Sequence, residues 1–336
     1  MKKRISIKTI AQEVGISNAT VSLVLNDKDK EGRVSREMAE KIRKVAKDLN
    51  YEPNHLARGL RMGKSQTIGL IVADISNPFF ANLAFHIQEY AEKFGYSVII
   101  TNTNESDAKL VKILDVLIGH QVDGLIIVPT EHGKPAIEEL VKKDFPLVLL
   151  DRWYPELQTC YVVIDNYQAS KTAVQHLINK KCKRIALFGY TIDLPHMQER
   201  KRGYVDTVKK AGLFDENLIK DINYISIDAD IKTALDDLFF NEKNEKPDGI
   251  FFATNSIALH GLRYMFERGV KVSKDVKAIC FDKSDAFDLM ESPVPCVLQP
   301  IPEMGKLAVD VLINQIVKGT VIPSKVELFA KLSTEE

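Results

Sequence analysis

The 336-residue sequence has four cysteines, one tryptophan and no long apolar run. The cysteines (Cys160, Cys182, Cys280 and Cys296) form no Cys-x-x-Cys pair, so we expect buried small side chains in a reducing compartment. No segment approaches the roughly 20 apolar residues of a transmembrane helix. The basic start, Lys2 to Arg4, is not followed by the apolar segment of a signal peptide. These absences predict a soluble cytoplasmic protein without membrane contact.

Motifs of the common enzyme classes are also absent. The sequence has no G-x-G-x-x-G, no P-loop, no H-E-x-x-H and no G-x-S-x-G. The seven histidines show no metal-ligand spacing, and none adjoins a plausible nucleophile. We therefore expect a protein that is not an enzyme, with no cofactor and no metal.

Charge is distributed unevenly although the net charge is zero. Residues 1–64 carry 15 Lys and Arg against 8 Asp and Glu, a net charge of +7, and the remainder carries −7. A small basic segment on a larger acidic body suggests that only the first segment meets a polyanion. A solvated basic face is the plainer alternative.

The basic segment contains three helical patterns. Ser6 precedes an apolar face at positions 7, 10, 11 and 14, Gly15 permits a tight turn, and Ser17 can cap a second helix. A third apolar stripe begins after Ser35. Residues 1–50 are therefore predicted to form a three-helix bundle with a helix-turn-helix, although these patterns alone fit a generic bundle as well.

The run from Ile7 to Asn26, IKTIAQEVGISNATVSLVLN, is followed by Arg33-Val-Ser35 and by LNYEPN ending at Asn54. Together they resemble the lactose-repressor (LacI/GalR) family, and the resemblance extends over nearly the whole chain. It implies that the second helix enters the major groove of double-stranded DNA. The residues that would face base edges are Asn18, Ala19, Ser22 and Leu23, whereas Ser6 and Ser17 would hold phosphates. The DNA-binding residues predicted in this way are Ser6, Ser17, Asn18, Ala19, Thr20, Ser22, Leu23, Asn26, Arg58 and Leu60.

Two departures from the family pattern affect DNA recognition. Leu23 stands where several members place Arg or His, and leucine can contact a thymine methyl group but cannot donate to guanine. The loop at residues 27–32 is longer than usual, so its backbone contacts cannot be transferred. Operator preference is therefore expected to differ from that of those members.

Residues 51–66 are predicted to form a hinge helix and linker. Asn54 can cap a short helix and Gly63 can end it, but so short a helix is marginal in water, so we expect it to fold on DNA. By the resemblance, paired hinge helices of two subunits lie in the minor groove, where Leu60 is a wedge and Arg58 contacts the groove. An ordinary linker with one apolar residue is the alternative.

Residues 67–336 alternate apolar strands with amphipathic helices. Strands are predicted at Ile68–Ala73, Ser97–Thr101, Gly124–Val128, Leu147–Leu150, Arg184–Phe188, Asn223–Ile225, Gly249–Ala253 and Lys277–Phe281. This spacing predicts an α/β fold with two doubly wound parallel sheets. The first lobe would hold about 67–164 plus 295–325 and the second 165–294, with Cys296–Gln299 and the helix after Pro302 returning to the first lobe. The pattern resembles the periplasmic binding-protein fold that the family uses as its sensor.

Ligands of such sheets bind beyond the carboxyl ends of the strands. Arg200 in Arg-x-x-Gly203 and Asp282 match the effector-binding residues of the family, and the other candidates follow predicted strands. Carboxylates and guanidinium groups suit sugars because each can bond two neighbouring hydroxyls. The predicted effector-binding residues are Phe79, Phe80, Asp151, Arg152, Asp165, Arg200, Thr254, Asn255 and Asp282.

Plainer interpretations of these residues remain open. Arg200 could lie on a solvated helix face, Asp151 and Asp282 could cap helices, and Asp165 could be a structural residue between the lobes. The two phenylalanines could be core. Thr254 and Asn255 stand where many family members have Asn and Asp, which leaves the identity of the effector open.

The function predicted from these features is that of a homodimeric transcription regulator, a repressor, with a small-molecule effector such as a sugar. Two helix-turn-helix segments related by the two-fold axis of a dimer imply a pseudo-palindromic operator. A transport-type solute-binding protein is the second class, and an enzyme on a doubly wound sheet is the third. The attached helix-turn-helix and the missing signal peptide disfavour the former, and the missing motifs disfavour the latter.

Overall fold

Three short helices are formed near the amino terminus: α1 (Ile7–Val14), α2 (Asn18–Leu25) and α3 (Arg36–Asp48). The computed structural model describes residues 5–25, 34–49, 51, 64–242 and 245–333. It divides the chain after residue 65 into two compact units. Asn26, Arg58, Leu60 and most of the predicted hinge lie outside the described residues.

Side-chain caps and a left-handed glycine define the helices of the first unit. The Ser6 hydroxyl accepts a hydrogen bond from the Thr9 amide at 3.3 Å, and the Ser35 hydroxyl accepts one from the Met38 amide at 3.3 Å. Gly15 ends α1 with φ +82°, a conformation that favours glycine. The buried core of the unit is small: Ile10, Ala11, Val14, Val21, Val24, Ala39, Ile42 and Ala46.

The first lobe of the second unit is built on a six-stranded parallel sheet. Its strands are β1 (Thr67–Val72), β2 (Ser97–Asn102), β3 (Gly124–Ile127), β4 (Leu147–Leu150), β5 (Cys160–Ile164) and β11 (Lys325–Leu328). They lie in the order β11-β5-β4-β3-β1-β2. The sheet is accompanied by α4 (Pro78–Glu92), α5 (Asp107–Gly119), α6 (Lys134–Val141) and α11 (Ile301–Lys318). Its central strands are fully buried because helices cover both faces.

The second lobe repeats this plan. Its strands are β6 (Ile185–Tyr190), β7 (Ile219–Ile222), β8 (Gly249–Phe252), β9 (Lys277–Phe281), β10 (Cys296–Leu298) and β12 (Lys331–Ser333). Their order is β12-β10-β9-β8-β6-β7, and β12 runs antiparallel to β10. The helices are α7 (Asn166–Asn179), α8 (Pro195–Lys210), α9 (Ile227–Phe239) and α10 (Asn255–Glu267), with 3-10 turns at Glu216–Leu218 and Asp285–Leu289.

The predicted α/β class, with two parallel-sheet lobes and amino-terminal helices, is confirmed. One strand assignment is wrong: Asn223–Ile225 is a loop in which the Asn223 side chain accepts from the Ile225 amide at 2.9 Å. The strand precedes it, at Ile219–Ile222. An asparagine that bonds the backbone two residues ahead favours a turn over a strand.

The return to the first lobe also differs from the prediction. Cys296 pairs with Cys280 of β9 and with Ser333 of β12, so Cys296–Leu298 belongs to the second sheet and its assignment to the first lobe is wrong. The helix after Pro302 does pack on the first sheet, where Gln315 bonds the Leu147 amide and carbonyl at 2.9 and 3.0 Å. No helix within the described ranges is long and apolar enough to cross a membrane.

Candidate functional site

Polar and aromatic side chains converge where the carboxyl ends of the two sheets face each other. They surround a cavity of about 50 Å³, room for about one or two water molecules. The lining residues are Asp74, Asn77, Phe79, Phe80, Glu105, Asp151, Arg152, Tyr190, His196, Met197, Arg200, Tyr224, Thr254, Asn255, Ser256 and Asp282. This cavity, called the cleft below, is lined by eight of the nine predicted effector-binding residues, all except Asp165.

Arg152 and Glu105 form a buried ion pair on the first-lobe wall of the cleft. The Arg152 Nη1 and Nη2 atoms lie 2.8 and 2.7 Å from the two oxygens of Glu105, a two-pronged arrangement. The Arg152 side chain is only 7% exposed. The positive charge of Arg152 is therefore neutralised within the protein by Glu105.

Asp151 sits beside this pair in a left-handed backbone conformation, with φ +66°. Its Oδ2 lies 3.5 Å from Arg152 Nε, whereas Oδ1 is buried and no described residue hydrogen-bonds to it. Burial raises the pKa of the Asp151 carboxyl, and the positive charges of Arg152 and Arg200 oppose that rise. Asp151 thus lines the cleft with an unpartnered carboxyl oxygen and is not the helix cap allowed by the sequence.

Arg200 reaches into the cleft from α8 and is fixed on three sides. Its Nε donates to Asn166 Oδ1 and its Nη1 to the Ala253 carbonyl, both at 2.8 Å, and its guanidinium lies 3.5 Å from the centre of the Phe281 ring. The residue is 3% exposed. The alternative of a solvated helix face is therefore excluded.

Asp282 faces Arg200 from the end of β9. Its backbone has φ +69°, and its Oδ1 accepts a hydrogen bond from Gln299 Nε2 at 2.8 Å. Burial raises the pKa of the Asp282 carboxyl to about 6, although Arg200 and the Gln299 hydrogen bond favour the ionised form. Near neutral pH this carboxyl is a charged acceptor that is costly to keep buried.

The raised pKa of Asp282 gives a pH-dependent contribution to stability. The folded state holds the proton more tightly than the unfolded chain, so the contribution is present below about pH 4 and is lost as pH rises through 6. Between pH 4 and pH 7 we expect the free energy of unfolding of wild type to fall by about 2 kcal/mol relative to Asp282→Asn. Urea unfolding across this range measures the difference. Exposed Asp285→Asn is the control, and parallel wild-type and Asp282→Asn curves would contradict the assignment.

Asn255 joins the two lobes. Its amide exchanges two hydrogen bonds with Asn77, each 3.0 Å long, and Asn77 also donates to the Ser256 hydroxyl at 3.1 Å. A second link runs from the Asp193 amide to Glu131 Oε1 at 2.8 Å. In this arrangement of the lobes, the side-chain amides of Asn77 and Asn255 therefore hydrogen-bond mainly to each other.

The remaining effector candidates divide by position. Phe79 and Phe80 are buried and line the cleft, packed edge to face with centroids 4.9 Å apart. Thr254 lines it too, but its hydroxyl caps α10 by accepting from the Ile257 amide at 3.3 Å. Asp165 is not part of the lining formed by the described residues. It caps α7 by accepting from the Gln168 amide at 2.8 Å, in line with the structural alternative.

Sequence reasoning missed Glu105, His196, Gln299 and the interlobe role of Asn77. His196 is 3% exposed, and burial together with Arg152 and Arg200 lowers the pKa of its imidazole well below the usual value, so the ring is neutral. It lies four residues before Arg200, which places both on one face of α8. That spacing is the signal that could have found it.

The predicted DNA-facing residues lie mostly on the surface of the first unit. Ser6, Ser17, Asn18 and Ala19 are exposed, and Thr20 and Leu23 are partly exposed. The Ser17 hydroxyl caps α2 by accepting from the Thr20 amide at 3.2 Å. Ser22 is 6% exposed, so its burial does not support the prediction that it faces a base edge. Asn18 and Ala19, at the start of α2, are the best presented.

A metal site is not indicated by the described part of the chain. It holds no group of three or more His, Cys, Asp or Glu residues placed to bind an ion. The cleft carboxyls are instead matched with guanidinium or amide groups, as in the Arg152–Glu105 and Gln299–Asp282 contacts.

Two family models match the chain. One, described as bacterial regulatory proteins of the lacI family, matches residues 6–54. The other, described as periplasmic binding proteins and sugar binding domain of the LacI family, matches residues 65–335. Together the two matches span both units.

Individual proteins agree with these matches. Catabolite control protein A of Priestia megaterium is 33% identical, over 96% of each chain, and the ribose operon repressor of Escherichia coli K12 is 28% identical, over 96% of each. Among solved structures, the lac repressor dimer bound to operator and an anti-inducer superposes with a TM-score of 0.82 over 99% of this chain and 98% of its own. At 20% identity that likeness shows the fold.

Proposed function

The chain belongs to the LacI family of bacterial regulatory proteins, and we propose that it is a DNA-binding transcriptional repressor controlled by a small-molecule effector. The observation that supports the proposal most directly is the presence of two different units in one chain. The helix-turn-helix unit exposes residues at the start of α2, and the two-lobed unit contains a buried polar cleft. The first suits a DNA groove, and the second suits a small polar ligand. No chemical step is part of this function.

The cleft residues that we assign to effector binding are Asp151, Arg200 and Asp282, with Phe79 and Phe80 as apolar walls. The guanidinium and carboxyl groups come from both lobes and can bond neighbouring hydroxyls. The aromatic walls suit the apolar face of a sugar ring. A sugar or sugar derivative is therefore the effector class that we propose.

Control of DNA binding requires the effector to bind two lobe arrangements with different affinity. A ligand held by Asp151 from the first lobe and by Arg200 from the second favours the arrangement in which Asn77 and Asn255 meet. The cavity of about 50 Å³ is smaller than a monosaccharide, so entry requires the lobes to separate. Lobe closure is the element whose equilibrium the effector shifts.

The protein is proposed to act in the cytoplasm as a homodimer on a pseudo-palindromic operator. One small helix-turn-helix unit offers little contact area with DNA, and two such units related by a two-fold axis bind two half-sites. Binding energy comes largely from phosphate contacts, and sequence preference comes from α2.

Selection of DNA sequences by the purified full chain, at fixed salt, tests the proposal. We expect enrichment of a palindromic site whose affinity changes in the presence of one sugar from a panel. If a sugar binds but no DNA sequence is enriched, the protein is a solute-binding protein and the regulator proposal fails. Analytical ultracentrifugation with the selected site measures whether two chains bind each palindrome.

Leu23→Arg is expected to change operator preference without abolishing DNA binding. Leucine offers a thymine only an apolar contact, whereas arginine can donate two hydrogen bonds to guanine. We expect a new preference for guanine at one base pair per half-site, by about 1–3 kcal/mol. Repeating the selection with the variant measures it. The control is Glu13→Gln, which alters an exposed residue of α1 that is not among the predicted DNA-binding residues. An unchanged selected site in Leu23→Arg would show that Leu23 does not face a base.

A further inference from the structure

Four polar atoms of the residues that line the cleft have no hydrogen-bond partner among the described residues: Asp151 Oδ1, Arg152 Nε, Tyr190 Oη and His196 Nδ1. Asp151 is 4% exposed and belongs to the first lobe, and His196 is 3% exposed and belongs to the second. Buried polar atoms are nearly always hydrogen-bonded in native proteins. Because both residues line the same cavity, a ligand bridging the lobes is the group that can satisfy both.

The state of the imidazole limits what it can bind. Burial and the nearby guanidinium groups of Arg152 and Arg200 lower the pKa of His196, so the ring stays neutral. A neutral imidazole has one nitrogen that donates and one that accepts. A hydroxyl group is a suitable partner in either tautomer because it both donates and accepts.

The charges of the cleft disfavour an anionic ligand. Four carboxyl groups line it, from Asp74, Glu105, Asp151 and Asp282, against two guanidinium groups. Both Nη atoms of Arg152 are already bonded to Glu105. The described lining contains no lysine. A phosphate or carboxylate on the ligand would meet an excess of negative charge in a medium that screens poorly.

We propose that His196 is an effector-contacting residue that selects a neutral, hydroxyl-bearing sugar. This inference rests on the proposed function and deepens it, because it names the charge class of the effector and one residue that recognises it. His196 and Asp151 contact hydroxyls on opposite sides of the ligand. The contact with His196 exists only when the second lobe is closed over a ligand held by the first.

Calorimetric titration of the full chain with D-ribose, D-xylose, D-glucose, D-ribose 5-phosphate and D-glucose 6-phosphate tests the charge class. We expect at least one neutral sugar to bind, and each phosphate ester to bind at least about ten-fold more weakly than its parent sugar. The class is overturned if a phosphate ester binds more tightly than its parent, or if none of the three neutral sugars binds.

Three substitutions test His196 itself. His196→Leu removes both nitrogens and is expected to weaken binding of the neutral sugar about ten-fold or more. His196→Asn keeps a polar atom near the Nδ1 position and is expected to restore most of the affinity. His196→Gln places its amide near the Nε2 position and is expected to behave like the leucine variant. Wild-type sugar affinity in His196→Leu would overturn the role.

A control separates ligand contact from fold stability. Thr159→Val alters an equally buried residue, 3% exposed, whose hydroxyl is also unpartnered among the described residues but is not part of the cleft lining. Its sugar affinity is expected to stay unchanged. DNA selection with the same wild-type preparation distinguishes failure of this inference from failure of the proposed function. If the protein selects an operator but His196→Leu binds the sugar like wild type, only the role of His196 is contradicted. A protein that selects no operator loses the proposed function.

Discussion

Arg200→Met is expected to weaken effector binding by at least about 100-fold while operator binding without effector is retained. The guanidinium is buried between Asn166, the Ala253 carbonyl and the Phe281 ring, and it faces Asp151 and Asp282. Removing one member of a buried, hydrogen-bonded charge pair costs about 2–5 kcal/mol because the other charge is left without compensation. Methionine fills similar space and cannot donate. Calorimetric titration with the neutral sugar that binds wild type measures the loss.

Two further variants sharpen this result. Arg200→Lys keeps the charge but can neither stack flat on Phe281 nor donate from two fixed positions, so little affinity is expected to return. Arg202→Met alters an exposed arginine two residues along α8 that pairs with Glu199, and it is expected to bind like wild type. Equal loss in Arg202→Met and Arg200→Met would mean that α8 as a whole, rather than the buried guanidinium, had been disturbed.

Gly203→Ala is expected to destabilise the second unit by about 1–3 kcal/mol. A Cβ atom at this position would lie 2.5 Å from the Tyr167 carbonyl oxygen and 3.0 Å from Ser170 Cβ, both on α7. The close neighbour is backbone, so relief requires α7 and α8 to move apart. This cost exceeds the gain of about 1 kcal/mol that alanine usually brings to a helix. Thermal unfolding is expected to show a melting temperature lower by several degrees.

Gly189→Ala provides the matched comparison within the same lobe. Its Cβ would lie 3.6 Å from Met197 Sδ and 3.7 Å from Ala253 Cβ, which is ordinary contact. We expect a change of less than about 1 kcal/mol. If Gly203→Ala melts at the same temperature as Gly189→Ala, the close approach of α7 and α8 does not require glycine. Because Gly203 lies three residues after Arg200, its variant is also expected to weaken effector binding.

Much of the fold was readable from local patterns in the sequence. Leu147–Leu150 and Lys277–Phe281 are strands with the predicted bounds, and Ser6 and Ser35 cap the predicted helices. A cap or an apolar alternation acts over a few residues, so the sequence around it is sufficient. The resemblance also predicted Arg200 and Asp282, because each sits in a short segment that matches the family.

The partners of the cleft residues could not be predicted in this way. Arg152 is neutralised by Glu105, 47 positions earlier in the chain, and Asn77 meets Asn255 at a separation of 178 positions. Glu105 follows a different strand and has no local motif of its own. Nothing near Asp165 in the sequence showed that its carboxylate would cap α7 and stay out of the cleft.

The sequence by itself determined the helix-turn-helix, the order of most strands and helices, and the family to which the chain belongs. Only the tertiary structure decided that Cys296–Leu298 joins the second sheet, that Arg152 enters the cleft already paired, and that His196 faces the cavity with an unsatisfied nitrogen. The reason is physical: helix caps and apolar periodicity are local, whereas strand pairing, ion pairing and the cost of burying a polar atom depend on which distant segments the folded chain brings together.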